Sequence, residues 1–373
     1  MTIDDAGGTV LSKPEAGKLA PLSVARCQRS VRTRQDSRPC PGLWYPPNQS
    51  NVVEFGIQYH PTADQHALAD TIETSLAELL PLARIHRSAE EAADTWAQLE
   101  EIGVFAIGVG EEDGGSGLGA AEEVLIAMAL GRCLAAPSVF ATIGVAHARS
   151  SPRRAWTPGT RVSYGYRRGA GIVQVNDPSA TQLLVRSDIG AEVFESPRSS
   201  GTLLDDRLWV DSLREQPALS EPLAEFDAQG LLRLRLLDAA SLAGIAQAAL
   251  DMSVAYAGDR HQFGRPIGSF QAVKHHCANM AIAARCARDQ TTFAAVAIDG
   301  DRDDAAFQVE SALFVAGTAA LENAGKNIQI HGGFGFSDEA DPHLLLKRAR
   351  VLLTVAGGLE AANNRVENSK MGW

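Results

Sequence analysis

Two separated segments of this chain carry side chains that suit a phosphate-bearing nucleotide. In the first, Arg260 offers a planar, permanently charged fork for phosphate oxygens, and nearby carboxamides and aromatic rings suit an adenine or ribityl edge. In the second, Gly332 and Gly333 lack a Cβ, so a ligand can lie directly against the backbone. Together, residues 260–271 and 329–336 predict a site for a phosphate-bearing nucleotide cofactor.

Each segment also has a purely structural interpretation. Arg260 could end a helix, where a cation suits the negative end of the helix dipole. Gly332 and Gly333 could form the turn that follows a helix. Phe263 and Phe270 fit a core as well as a ligand wall. The occurrence of both segments in this order favours cofactor contact, and no chemistry is assigned to the nearby histidines, which lack metal-ligating spacing: His275, His276 and His331.

The composition of the 373-residue chain excludes several classes of protein. The formal net charge of −11 argues against nucleic acid or an anionic membrane as the main partner. The five cysteines lack metal-ligating spacing and fit a reducing cytoplasm without a disulfide framework. No apolar run approaches the length of a transmembrane helix, and the N-terminus lacks the apolar core of a secretion signal. We therefore expect a cytoplasmic protein.

The apolar periodicity divides the chain into four parts. A proline- and arginine-rich segment without periodicity is followed by a helical pattern, a set of short alternating runs and a second, longer helical pattern. The predicted parts are a disordered extension over residues 1–53, an N-terminal helical domain over 54–149, a reduced middle β domain over 150–237 and a C-terminal helical bundle over 238–373. The predicted fold class is therefore mainly α with a small β unit.

Local signals predict individual elements within these parts. Short apolar or alternating runs bounded by Gly, Pro and Asp predict an antiparallel β unit, with strands over residues 171–175, 182–185, 191–194, 207–210 and 232–236. Asp341 followed by Pro342 predicts the start of the last helix, because aspartate caps a helix and proline fits its first position. A glycine-rich turn over residues 109–117 is weak evidence for function, since most such loops only connect elements.

With this order of parts and these segments, the chain resembles the acyl-CoA dehydrogenase family over roughly residues 54–373. The resemblance rests on residues 260–271 and 329–336, and the turn over residues 109–117 is similar to one in the family's N-terminal domain. It implies a flavoprotein oxidoreductase with a C-terminal four-helix bundle. It also implies FAD as the cofactor, an acyl-CoA thioester as the substrate, an electron-transfer acceptor, and a place in fatty acid or steroid degradation.

The resemblance implies that FAD lies across a subunit interface, which excludes a working monomer. The β domain and bundle of one subunit would hold the flavin ring, and two segments of its partner would reach the pyrophosphate and adenosine. By position, the residues that face the pyrophosphate or line its groove are Arg260, Gln262, Phe263, Phe270 and Gln271. Those along the nucleotide are Gln329, Ile330, Gly332 and Gly333.

The chain departs from the family in the part of the site that performs the reaction. Dehydrogenation needs a general base for the α-proton, and the two positions where family members carry a glutamate correspond to Ala356 and Leu234 here. Neither side chain can accept a proton. The family's Thr-Glu-Pro and Gly-Ser-Asp flavin segments have no counterpart between residues 150 and 237. Asp238 and Glu360, each about one helical turn beyond a missing base, are candidate substitutes, although surface or capping roles fit both better.

This asymmetry predicts a degenerate subunit of a heteromeric acyl-CoA dehydrogenase, similar to those that act on bulky steroid side-chain CoA thioesters in actinobacteria. A homologous catalytic subunit, in a heterotetramer, would supply the base and the flavin pocket, and no catalytic residue is assigned to this chain. Three alternatives stay open. They are an independently active homo-oligomer with Asp238 or Glu360 as base, a flavin-dependent monooxygenase of the same fold, and a non-enzymatic stabilising subunit.

Overall fold

The computed structural model describes residues 59–87, 91–148, 156–169, 171–175, 177–196, 202–205, 210–213 and 219–369. The predicted disordered extension over residues 1–53 lies outside these ranges. Helices come first, a sheet follows, and long helices return, which confirms the predicted fold class. The N-terminal helices are α1 (Ala63–Leu79), α2 (Ala93–Ile102), α3 (Ala120–Arg132) and α4 (Pro137–Val145).

The N-terminal helices begin and end at residues whose chemistry explains the boundary. α1 opens with a capping box, in which Thr62 and Gln65 each accept a hydrogen bond from the other's backbone amide. α2 ends at Gly103, whose φ of 87° lies in the left-handed region that favours glycine. The glycine-rich turn between α2 and α3 closes on itself, because the amide of Gly117 donates to the carbonyl of Val109 at 2.8 Å. This turn connects the two helices.

A sheet follows, and within the described residues it comprises β1 (Val162–Arg168), β2 (Gly171–Val175), β3 (Gln182–Arg186), β4 (Ala191–Glu195), β5 (Thr202–Asp205), β6 (Val210–Leu213) and β7 (Ala224–Glu225). The strand order is β5-β6-β2-β1-β3-β4-β7. The predicted antiparallel arrangement is wrong for one pair, because β1 and β3 run parallel, with Val162 opposite Gln182. The cause is that β2 pairs with one side of β1 and the chain then crosses to its other side. The predicted strand over residues 207–210 falls mostly outside the described residues.

The predicted strand over residues 232–236 is wrong. These residues lie inside α5 (Ala228–Asp259), which begins after the capping carboxylate of Asp227. The alternation of leucine and arginine suggested a strand with one buried face and one solvent-exposed face, but the guanidinium of Arg235 is buried against Glu310. Leucine and arginine are also strong helix formers, so propensity and capping agree on a helix here.

The C-terminal part is a helical bundle, as predicted. After a hairpin of β8 (His261–Gln262) and β9 (Arg265–Pro266), the chain forms α6 (Gln271–Asp299), α7 (Ala305–His331), α8 (Pro342–Val355) and α9 (Gly358–Asn368). The start of α8 at Pro342 confirms the predicted helix opening, but α9 still follows it. The side chain of Asp341 bonds His86 at 2.7 Å and makes no capping bond.

The helices and the inner face of the sheet share one hydrophobic core within the described residues. α5 runs through the predicted boundary between the β domain and the C-terminal bundle, at residues 237 and 238. This boundary and the other predicted domain boundaries therefore stay predictions. No helix in the described part of the chain is long and apolar enough to cross a membrane.

Candidate cofactor-binding site

α5 and α7 pack side by side and run in the same direction. The side chain of Asn323 donates to the carbonyl of Ala246 at 3.0 Å, and further along both helices Ser253 donates to the side-chain oxygen of Asn327 at 2.8 Å. Because later residues of one helix meet later residues of the other, their C-terminal ends lie at the same end of the bundle.

This shared end brings together the two segments predicted from the sequence. The rings of Tyr256 and His331 stack there, with centroids 4.0 Å apart. Arg260 lies one helical turn beyond Tyr256, and Gly332 follows His331 directly. The structure therefore places the arginine segment and the glycine pair at neighbouring helix ends. Along the chain they are far apart, since 71 positions separate His261, in the arginine segment, from Gly332.

A tight hairpin presents the first segment. Arg260 ends α5, as its structural interpretation predicted, and its backbone turns to an extended conformation with φ −77° and ψ 118°. Phe263 and Gly264 both have positive φ, 52° and 77°, which is the geometry of a two-residue hairpin turn. The amide of Ile267 donates to the carbonyl of Arg260 at 2.7 Å and closes the loop.

The hairpin carries two arginines that differ in what they contact. The guanidinium of Arg265 lies over the ring of Phe270, 4.2 Å from its centroid. Arg260 is exposed and forms no ion pair with another described residue. Gln262 and Gln271 are exposed beside it. Arg260 is thus a cation that the described part of the chain leaves available to an anionic ligand.

The second segment offers bare backbone at the surface. Gly332 ends α7 with φ 66° and ψ −145°, so the structural interpretation of a helix-ending glycine also holds. A Cβ built on Gly332 or on Gly333 would have no heavy atom of the described residues within 4 Å. Gln329 is exposed, and Ile330 is half-buried against the core. Gly333 has no packing role that explains its lack of a side chain.

Exposed aromatic side chains surround these two segments. Phe263 is 91% exposed, and Phe334 and Phe336, in the turn of 3₁₀ helix that follows α7, are 56% and 73% exposed. Phe263 therefore does not belong to the core, and it meets the half-buried Phe270 edge to face at 6.1 Å. Large apolar side chains grouped at one surface are typical of a site covered by a partner or ligand.

The two positions of the family base hold buried apolar side chains. Ala356 is 2% exposed and ends α8. Leu234 is 1% exposed, and one of its methyl groups occupies the space where Gly144 would carry a Cβ. The ring of Tyr166 lies against Gly357, the residue after Ala356. Neither position has a proton-accepting group.

Asp238, the first candidate substitute, is committed to a buried ion pair. It is 1% exposed, Tyr164 donates to its Oδ1 at 3.0 Å, and the guanidinium of Arg186 binds its Oδ2. Burial raises the pKa of its carboxyl, an effect that Arg186 and Tyr164 oppose. The predicted surface or capping role is wrong for Asp238, which joins α5 to the sheet. Because it is buried and each oxygen already accepts a hydrogen bond, its carboxylate is not accessible to a substrate.

Glu360, the second candidate, is exposed in the first turn of α9, as its surface role predicted. It lines an open cavity of about 730 Å³ between the strands β1 and β2 and the helices α7 to α9. Arg350, Arg365 and the backbone of Gly357 and Gly358 also line this cavity. Within the described part of the chain, Glu360 makes no ion pair.

Sequence reasoning missed a second set of buried charges between the sheet and the bundle. Glu310 on α7 accepts from Arg235 at 2.6 Å and from Arg365 at 2.8 Å. Burial lowers the pKa of Arg235 to about 10. Nearby, Tyr166 donates to Asp188 at 2.6 Å, and burial together with that carboxylate raises the pKa of Tyr166 to about 12. The two ion pairs of Glu310 join α7 to α5 and α9, and Arg235 also donates to the carbonyl of Asp188, between β3 and β4, at 3.3 Å. No spacing in the sequence indicates their pairing.

Comparisons with known proteins identify the class. Residues 62–150 match the profile of the acyl-CoA dehydrogenase N-terminal domain, and residues 224–369 match that of the acyl-CoA dehydrogenase C-terminal domain. Acyl-CoA dehydrogenase IpdE2 of Mycobacterium tuberculosis is 31% identical over 67% of this chain and 78% of its own length. The chain therefore belongs to the acyl-CoA dehydrogenase family, whose members are flavoprotein oxidoreductases acting on the CH-CH group.

Individual relatives extend the likeness with different coverage. Acyl-CoA dehydrogenase FadE34 of Mycobacterium tuberculosis is 33% identical over 72% of this chain, but the match spans only 41% of FadE34. Among solved structures, the Tcur3481-Tcur3483 steroid ACAD variant superimposes with a TM-score of 0.65 at 23% identity, covering 82% of this chain and 96% of that one. The ChsE4-ChsE5 complex of Mycobacterium tuberculosis gives a TM-score of 0.64 at 22% identity, covering 83% and 98%. At these identities the two structures support the fold.

The residues present fit one half of an FAD site and not the other. Within the described part of the chain, Arg260 is exposed without an ion-pair partner and the glycine pair is open, and such groups suit a pyrophosphate and a nucleotide. The base positions, in contrast, are apolar and buried. Among the described residues, the bundle end leaves a cation and bare backbone accessible to an anionic ligand, and neither family base position carries a proton acceptor.

Proposed function

We propose that this chain is a component of an FAD-dependent acyl-CoA dehydrogenase, in which it contributes part of the FAD site to a homologous catalytic subunit. Arg260 would bind the pyrophosphate, and Gly332 and Gly333 would lie against the nucleotide. The observation that carries the proposal is a contrast between two ends of the same bundle. One end has a cation without an ion-pair partner among the described residues, beside bare backbone. The other has Ala356 and Leu234 where the family base would be.

The physical contribution of this chain would be charge and shape. A doubly negative pyrophosphate gains from a guanidinium that is not already neutralised, and Arg260 has no competing carboxylate among the described residues. The open space at Gly333 allows close approach, which a Cβ would reduce. The bound flavin would accept the hydride, while the partner's carboxylate removes the α-proton. The exposed aromatic side chains around Phe263 would be covered by the partner.

Two of the structural relatives bear on the partner and the substrate class. The Tcur3481-Tcur3483 protein is named a steroid ACAD, and ChsE4-ChsE5 is a complex of two named components. These names support a second subunit as partner and a steroid-related substrate. The heterotetramer, the homology of the two subunits and the bulky CoA thioester are part of our proposal and come from the resemblance in sequence. A homo-oligomer of this chain is the competing assembly. The electron-transfer acceptor and the cytoplasmic location remain expectations from the sequence.

The test uses this chain purified alone and together with a candidate catalytic subunit that carries the missing glutamate. We expect stoichiometric FAD and acyl-CoA oxidation in the mixed assembly, and neither in the chain alone. Arg260→Ala should lower the flavin content of the assembly. Arg285→Ala is the matched control, because Arg285 is exposed and paired with Asp289, about 21 Å along α6 from Gln271. If Arg260→Ala retains flavin as well as Arg285→Ala does, the chain is a stabilising subunit instead.

A second candidate function is supported by Glu360, an exposed carboxylate in a cavity beside the position of the missing base. In that case the chain would be an independently active acyl-CoA dehydrogenase that uses Glu360 as its base. Glu360→Gln should then abolish acyl-CoA oxidation by the chain alone, whereas Glu367→Gln on the same helix should not. Our proposal predicts that the chain alone shows no such activity to lose. Oxygen consumption with external reduced flavin would instead indicate a monooxygenase.

A further inference from the structure

Small apolar side chains are frequent among the buried residues of α5 and α7, which pack side by side. Buried alanines on both helices, among them Ala249 and Ala257 on α5 and Ala316 and Ala320 on α7, let the two axes approach closely. Such a surface has shallow ridges, so it opposes sliding along the helix axis weakly. Polar contacts must therefore fix the axial register of the two helices. The buried ion pair of Arg235 with Glu310 does so near their N-terminal ends, far from Arg260 and Gly332.

Buried polar side chains at every fourth position of α7 interrupt this alanine surface. Asn323 donates to two carbonyls, those of Ala246 on α5 and Met280 on α6, each at 3.0 Å. Asn327, which is fully buried, accepts from Ser253 at 2.8 Å. These bonds form in one register, because sliding by any fraction of a turn would leave buried donors and acceptors unpaired.

The series continues to the end that carries the two cofactor segments. One ring nitrogen of His331 bonds the carbonyl of Asn327 at 2.8 Å, and the ring stacks on Tyr256 with an interplanar angle of 24°. Burial lowers the pKa of His331, and because a carbonyl can only accept, the ring nitrogen Nδ1 is the donor in this bond. Gly332 is the next residue after His331, and Arg260 is one turn beyond Tyr256.

We infer that Ser253, Asn327, Tyr256 and His331 are positioning residues, which set the separation between Arg260 and the Gly332–Gly333 backbone. The inference rests on the proposed function, because it assigns these residues to the support of the proposed FAD contacts of Arg260, Gly332 and Gly333. A binding site that contacts one dinucleotide at both places needs that separation held to about 0.5 Å. Alanine packing alone does not provide this, and a chain of buried bonds that ends at both segments does.

The test compares two serines of α5 that are matched in burial and bonding. Ser253 and Ser241 are both fully buried, and each hydroxyl donates one bond of 2.8 Å. Ser241 bonds the carbonyl of Asp238 and lies roughly 28 Å along α5 from Arg260. The measurement is the FAD dissociation constant of the deflavinated assembly, titrated back with FAD, together with its melting temperature.

We expect Ser253→Ala and Ser241→Ala to lower the melting temperature by similar amounts. Only Ser253→Ala should weaken FAD binding, by roughly fivefold, which is the scale of one net hydrogen bond. Tyr256→Leu, at a half-buried position, should also weaken FAD binding and serves if the serine variant does not fold. Ser253→Thr, which keeps the hydroxyl, should restore most of the affinity.

The outcomes separate this inference from the proposed function. If Arg260→Ala weakens FAD binding while Ser253→Ala and Tyr256→Leu leave it at the level of the unsubstituted protein, the positioning role is wrong and the proposed function stands. If Arg260→Ala also leaves FAD binding unaltered, both are wrong. A loss of affinity in Ser241→Ala equal to that in Ser253→Ala would show a general effect of stability and would also contradict the inference.

Discussion

Replacing Asp238 by alanine tests whether this carboxylate is a structural ion or a relocated base. The change would leave the guanidinium of Arg186, which is 2% exposed, buried without its counter-ion, and would remove an acceptor from Tyr164. Removing one partner of a buried ion pair typically costs about 3–5 kcal/mol. Since a domain is stable by only about 5–15 kcal/mol, Asp238→Ala should lose a large part of the free energy of unfolding.

Chemical denaturation followed by circular dichroism measures this loss. Asp251→Ala is the matched control, because Asp251 lies on the same helix and pairs with Arg132, but is 44% exposed. An exposed pair contributes about 1 kcal/mol or less, so the control should change the unfolding free energy little. The double variant Arg186→Met with Asp238→Leu should recover most of the stability, because it removes both charges.

The two roles of Asp238 predict opposite patterns. If Asp238 is a structural ion, Asp238→Ala loses much of its stability and the double variant recovers it. If Asp238 is a catalytic base, Asp238→Ala stays stable but no longer oxidises acyl-CoA. If Asp238→Ala costs no more than Asp251→Ala, the buried-pair reasoning is refuted and Asp238 is again a candidate base.

Three further changes test the site and the fold. Phe263→Ser should leave the melting temperature of the isolated chain unaltered, because this ring is 91% exposed, but should weaken subunit association measured by sedimentation. Gly333→Ala should lower FAD affinity by about tenfold in a flavin titration, whereas Gly190→Ala, at an equally open glycine away from the site, should not. Although burial alone would raise the pKa of Glu123, the contact with His147 holds it below its usual value. The ionised Glu123 therefore stabilises the fold at pH values above the ordinary carboxyl pKa, and this stabilisation is lost as the pH falls through the lowered pKa. Glu123→Gln has no such stabilisation to lose, so its melting temperature should fall less than that of the unsubstituted protein below about pH 5.

Much of the fold could be predicted because long helices carry a strong apolar period. The pattern from Ala63 and the start of α8 at Pro342 agree with the structure. The sheet was harder, because β1 lies in a stretch rich in Arg, Pro and Gly for which the sequence indicated no element. The error over residues 232–236 has a physical origin, since a period of two carries no information about which charges will find buried partners.

The sequence indicated the residues of the candidate site, but not the buried contacts that hold them in place. Arg260 and Gly333 were selected for chemistry that each side chain or backbone could perform, and the structure adds that they meet at one end of the bundle. The burial of Asp238 could not be predicted, because Arg186 comes from a strand 52 positions earlier. The polar residues at 323, 327 and 331 had a usable signal, since a four-residue spacing in an alanine-rich helix marks one face.

The most direct measurement is an experimental structure of the flavin-bearing assembly that contains this chain. The account predicts the FAD pyrophosphate within about 3 Å of the Arg260 guanidinium, the nucleotide against Gly332 and Gly333, and the flavin ring in the neighbouring subunit. An FAD held in this chain's own cavity between sheet and bundle, far from Arg260, would contradict it.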